Sequence, residues 1–132
     1  MTDRKARAMA ILDNMLSPTF ANQMSDDHTA STFAGDLADL SMQAVFEPLW
    51  TDERMDLRTR SLVTVGILIA LRAREELEIH CAAAIRNGAT VSDLEQVIYQ
   101  AAGYAGFPAA ASARWIMSKA LADAGMLDRP PA

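Results

Sequence analysis

Residues 57–72 constrain this chain more than any other stretch. Leu62, Val63, Val65, Ile67, Leu68, Ile69 and Leu71 leave the segment apolar on nearly every side. By composition it could be a buried strand. Its length and its lack of turn signals favour a central helix buried all round. The longest apolar run, Ser61 to Leu71, is too short to cross a bilayer. A chain of 132 residues has little material with which to cover such a helix. The segment therefore predicts burial partly against another subunit.

The flanking sequence reads as helices separated by stops. Residues 3–16 carry Ala8, Ile11, Leu12 and Met15 at helical spacing, with a stop at Ser17-Pro18. Residues 19–28 are polar and read as a connection or short turn. A second helix is expected over 29–46, with Phe33, Leu37, Leu40 and Ala44 on one face and Pro48 breaking it. Residues 50–56 form a polar link anchored by Trp50, and Asp56 is placed to cap the central helix.

After the central helix, a helix over 74–87 ends at Asn87-Gly88, where glycine can take positive φ. Thr90-Val-Ser-Asp93 carries capping chemistry for the next helix, whose stripe is Leu94, Val97, Ile98 and Ala101. Gly103-Tyr-Ala-Gly-Phe-Pro108 reads as a glycine-rich break with proline opening a last helix, which stops at Gly125. The expected tail, Asp128 to Ala132, is frayed. No repeat or interdomain linker is visible, so the expectation is one all-α domain over 1–132 with about six helices.

Composition narrows the function. A net charge of -5 without a basic cluster argues against nucleic-acid binding. One cysteine, Cys81, excludes an intrachain disulfide and fits a reducing cytoplasm. The N-terminus lacks the apolar core of a signal peptide. Two histidines without Cys-x-x-Cys make a dedicated metal site improbable.

The chemistry concentrates in Glu76-Leu-Glu-Ile-His80-Cys81. Leu77, His80, Cys81, Ala84 and Ile85 form the inner stripe of an amphipathic helix, so a core-facing position holds an imidazole. Glu76, four residues earlier, lies one turn away. Such a carboxylate favours the charged ring and orients it, as suits a histidine that moves protons. The competing reading is a satisfied core histidine beside a surface glutamate. Cys81 points about 100° away from His80 and reads as a core residue.

Arg58 and Arg60, ahead of the central helix, could grip a substrate carboxylate bidentately. Alternatively they pair with Asp52, Glu53 or Asp56 at the surface. The helix start at Gly106–Pro108 offers free backbone N–H groups to an anion, or is simply a tight turn.

Taken together, Trp50, Asp56-Leu-Arg-Thr-Arg-Ser-Leu-Val-Thr-Val65, Glu76-Leu77-x-x-His80, Asn87-Gly88-x-Thr90 and Tyr104-Ala-Gly-x-Pro-Ala-Ala110 resemble the carboxymuconolactone decarboxylase family. The likeness runs through about 50–113. It implies the all-helical fold shared with alkyl-hydroperoxidase-D-like proteins, with subunits intertwined as trimers or hexamers. The peroxidase branch carries two thiols on the corresponding helix. Here those positions are Ala73 and Glu76, which implies no thiol peroxidase activity.

The decarboxylase branch is cofactor-free. The resemblance thus implies a cytoplasmic carbon–carbon lyase of aromatic catabolism, acting without cofactor or metal on 4-carboxymuconolactone or a related small lactone acid. On that reading His80 is donor or acid, Glu76 orients it, Arg58 or Arg60 holds a carboxylate, and Gly106–Pro108 stabilises the anion. A cofactor-free isomerase or cyclase using the same pair, and a non-catalytic family member, are the alternatives.

Overall fold

The computed structural model describes residues 2–16 and 32–128. The expected stop at Ser17-Pro18, the connection 19–28 with His28, the first residues of the 29–46 helix and the tail after Asp128 lie outside the described residues. The described chain is helical and contains no strand, and it divides along the sequence into two compact units between Met55 and Asp56.

In the first unit, helix α1 spans Asp3–Met15. Thr2 caps it by accepting the Lys5 N–H at 3.1 Å, and Ala8, Leu12 and Met15 are its buried stripe. Helix α2, Leu37–Ser41, runs directly into a π-helical segment, Met42–Trp50, which packs on α1. The expected break at Pro48 does not occur. Proline lacks an N–H and its ring crowds the carbonyl four residues back. The wider π winding accommodates both, so the chain stays helical to Trp50. Trp50 is buried, stacked on Phe46 with ring centroids 6.2 Å apart. The expected apolar face is not buried in this chain: Phe33, Leu37, Leu40 and Ala44 are exposed or half-exposed.

The second unit is a four-helix assembly. Helix α3 spans Leu57–Leu71, α4 Arg74–Arg86, α5 Val91–Ala105 and α6 Phe107–Asp123. Asp56 caps α3 by accepting the Thr59 N–H at 2.7 Å. Gly88 takes φ 100 just beyond α4, as the sequence predicts. Thr90 and Asp93 form the reciprocal capping box that opens α5. The expected break from Gly103 to Pro108 shrinks to one residue. Helix α5 continues through Gly103, and only Gly106 leaves helical geometry, at φ 101 and ψ 152, a conformation that favours glycine.

The core joins Val65 and Ile69 of α3, Leu77, Cys81 and Ala84 of α4, Leu94 of α5, and Met117 with the alanines of α6. Ala109, Ala110, Ala113 and Ala120 let neighbouring helices approach the α6 backbone. Removing a side chain such as Leu77 from this packing costs about 2–5 kcal/mol. A polar strut crosses the same layer: Asn87 Nδ2, after α4, donates to the fully buried Ser61 Oγ of α3 at 2.9 Å.

Helix α3 is not buried all round by its own chain. Val65 and Ile69 are inside, whereas Val63, Ile67 and Leu71 are 48%, 54% and 70% exposed. These three fall at i, i+4 and i+8, one continuous apolar stripe. No helix among the described residues is long and apolar enough to cross a membrane.

The capping box gives a direct stability test. Thr90→Ala removes the acceptor for the Asp93 N–H and is expected to lower the unfolding free energy by about 1 kcal/mol in urea denaturation. Thr90→Ser should retain most of it.

Candidate functional site

Helix α4 packs against α3 on one side and α6 on the other, and its inner stripe carries the candidate pair. Leu77, Cys81 and Ala84 are buried, and His80 lies among them with only 12% of its side chain exposed. Glu76, one turn earlier, is 57% exposed. Its Oε2 is 3.8 Å from His80 Nε2, an electrostatic contact longer than a hydrogen bond. The imidazole thus has one nitrogen turned to a solvated carboxylate and the other, Nδ1, buried.

This geometry reverses one sequence expectation. Glu76 does favour the charged ring, but removal of the imidazole from water opposes it and is the larger effect. The His80 pKa is held below its ordinary 6.5, so the ring is neutral at pH 7. Two charges almost 4 Å apart with one of them half in water attract weakly, because the carboxylate's field is screened.

Cys81 is fully buried, and desolvation pushes its thiol up to about 12. It is therefore a thiol, not a thiolate, at neutral pH, and its place in the core matches the sequence reading. No group of three or more His, Cys, Asp or Glu side chains among the described residues could hold a metal ion.

The two arginines are placed differently. Arg58, in the first turn of α3, meets Asp93 Oδ1 of α5 at 2.6 Å. Of the carboxylates anticipated from sequence, Asp56 feels the Arg58 charge as a minor effect, its main partner being the Thr59 N–H that it caps. Asp93 carries a double load, since its Oδ2 accepts the Thr90 N–H at 2.8 Å. The Thr90 backbone bond and the Arg58 contact together hold its carboxyl below the usual carboxylate range. Nothing in local sequence reveals the Arg58–Asp93 pair, which joins residues 35 positions apart; only Asp93's capping role is legible there. Arg60 is half-buried within α3, where its carbonyl accepts the Thr64 hydroxyl at 2.8 Å. Gly106 and Pro108 form the start of α6, with Tyr104 and Phe107 exposed on either side of Gly106.

The arrangement can do limited but definite chemistry. A neutral imidazole spanning from a wet carboxylate to a dry interior can donate a hydrogen bond inward and exchange protons outward.

Residues 35–118 match the model of the carboxymuconolactone decarboxylase family. Over 78 residues the chain is 35% identical to a 4-carboxymuconolactone decarboxylase of Acinetobacter baylyi, covering 59% of this chain and 58% of the relative. Over 81 residues it is 33% identical to a nitrosuccinic acid decarboxylase of Metarhizium robertsii, covering 61% and 55%. The chain thus spans just over half the length of these two relatives.

The buried ring makes folding pH-dependent in a known direction. The unfolded chain protonates His80 near 6.5, whereas the folded chain resists until lower pH. Between those values the unfolded state binds more protons, so stability is full above about 6.5 and declines as pH falls through the window. Urea midpoints measured from pH 8 to pH 5 are expected to drop in the wild type and to drop less in His80→Gln; parallel curves would contradict a desolvated His80.

Proposed function

This chain belongs to the carboxymuconolactone decarboxylase family, and from that premise we propose that it is a cofactor-independent decarboxylase of a small carboxylated lactone or a related acid, with His80 and Glu76 as its proton-handling pair. Two relatives named as decarboxylases of small carboxylic acids support the reaction class. The observation that carries the role of the pair is the neutral, desolvated imidazole of His80 reaching the half-exposed Glu76.

The chemistry follows from that arrangement. The bond between substrate carbon and its carboxylate breaks, carbon dioxide leaves, and the electron pair spreads as a dienolate onto the lactone oxygen. His80, as a neutral ring, donates its inward N–H to that oxygen as charge accumulates. The new negative charge makes the imidazole more basic. A proton then enters from solvent by way of Glu76 to Nε2, and the inward proton moves to carbon, leaving a neutral ring protonated on Nε2; proton exchange with solvent returns the starting tautomer before the next turnover. The net change is one carboxylate replaced by one hydrogen, with the proton supplied by water. A dry surrounding assists the first step, because loss of the carboxylate removes a localised charge.

Arg58 already has a carboxylate partner in Asp93, so in this proposal it holds substrate only by sharing or exchanging that contact. Arg60 is the second candidate for that task, and the start of α6 at Gly106 and Pro108 is the candidate anion cradle. The same pair could run an isomerisation by proton transfer alone, which releases no carbon dioxide.

We further propose that the working form is a homo-oligomer in which a second copy covers the Val63, Ile67 and Leu71 stripe. An apolar stripe on a central helix is the expected mark of a subunit contact.

Two measurements test this reading. With 4-carboxymuconolactone, carbon dioxide release is expected from the wild type and reduced by about 10²–10⁴-fold in His80→Ala, with a smaller loss in Glu76→Gln. Unchanged turnover in His80→Ala would remove His80 from the reaction, and product formation without carbon dioxide would identify the isomerase. By light scattering after gel filtration, the wild type is expected above the mass of one chain and Ile67→Asp at that mass; a wild type that runs as one chain overturns the assembly.

A further inference from the structure

A groove on the second unit is lined by none of the candidate site residues named above. It has a volume of about 250 Å³ and is lined by α5 and α6, with Leu127 beyond α6 contributing to the wall. Its floor is apolar: Leu94, Met117 and Leu121 are buried and Ile98 is half-buried. Neither His80 nor Glu76 lines it.

The rim decides what such a groove can take. Arg114 and Ser118 stand on the α6 side, one turn apart, and Glu95 and Tyr99 on the α5 side. The structure records several ion pairs for arginines, among them Arg7 with Glu53, Arg54 with Asp52 and Arg58 with Asp93. Arg114 forms none among the described residues, and it is an exposed residue lining a groove whose floor is apolar. A guanidinium in that position offers a fork to one carboxylate while the floor takes an apolar body. Glu95, on the opposite rim, sets a negative charge against a second carboxylate. The volume is just under the range of about 300–1,000 Å³ usual for small-molecule sites, which restricts the occupant to a short acid.

From these observations we propose that the α5–α6 groove binds a short apolar monocarboxylate, its carboxylate on Arg114 and its hydrocarbon on Leu94, Ile98, Met117 and Leu121. The site is separate from the His80 pair and does not rest on the proposed reaction. A ligand held there braces α5 against α6, the two helices that begin at Asp93's capping box and at Gly106.

Isothermal titration of the full chain with hexanoate tests this. Saturable binding at one site per chain is expected, at least tenfold weaker for hexanamide and for adipate, and at least tenfold weaker in Arg114→Gln. Ser118→Trp, which places an indole in the groove from a half-exposed position, should abolish binding while circular dichroism stays helical. His80→Ala should bind hexanoate as the wild type does; loss of binding there would put the acid at the candidate catalytic pair and overturn the proposal. Equal binding of hexanamide, or no effect of Arg114→Gln, overturns it also. So does an oligomer that dissociates in Arg114→Glu, which would make the groove a contact for a second copy.

Discussion

Desolvation of one imidazole governs the most informative part of this molecule. His80 stands on the inner stripe of α4, where α3 and α6 close over the helix. That burial outweighs the attraction of Glu76 and leaves the ring uncharged. A charged histidine at this position would be a fixed cation. A neutral one is a group whose charge can change during a reaction, which is the property the proposed proton transfers require.

The second organising contact is the Asp93 carboxylate. One oxygen completes the cap of α5 and the other holds Arg58 of α3. The beginnings of two helices are thereby tied through a single side chain. A substrate anion that drew Arg58 away would loosen the link between them while the cap bond to the Thr90 N–H stayed in place. Binding and helix packing are coupled at this point by ordinary charge competition.

Much of this was legible in the sequence where the determinants are local. Asp56 as a cap, the stop at Gly88, the Thr90–Asp93 box and the His80 stripe each follow from a few adjacent residues with one strong conformational preference. The family itself was legible from blocks spread over half the chain. Pro48 misled because a proline ends an α-helix, whereas a π-helical turn has room for it. Gly103 misled because glycine in a helix is disfavoured by only about 1 kcal/mol and the surrounding helix outweighs that. The protonation of His80 could not be read at all: it depends on how deeply tertiary packing buries the ring, and periodicity states which face is inward without stating how dry it is. The Arg58–Asp93 pair was hidden for the same reason, as it exists only once α3 and α5 lie side by side.

Cys81 gives the fold an internal clock. Its sulfur is sealed in the core beside the Met117 carbonyl at 4.0 Å, with an acidity suppressed to about 12. While α4 and α6 remain in contact, an alkylating reagent meets neither an accessible atom nor a thiolate. Each labelling event therefore counts one separation of those helices, and the rate of modification reads the breathing of the layer that keeps His80 dry.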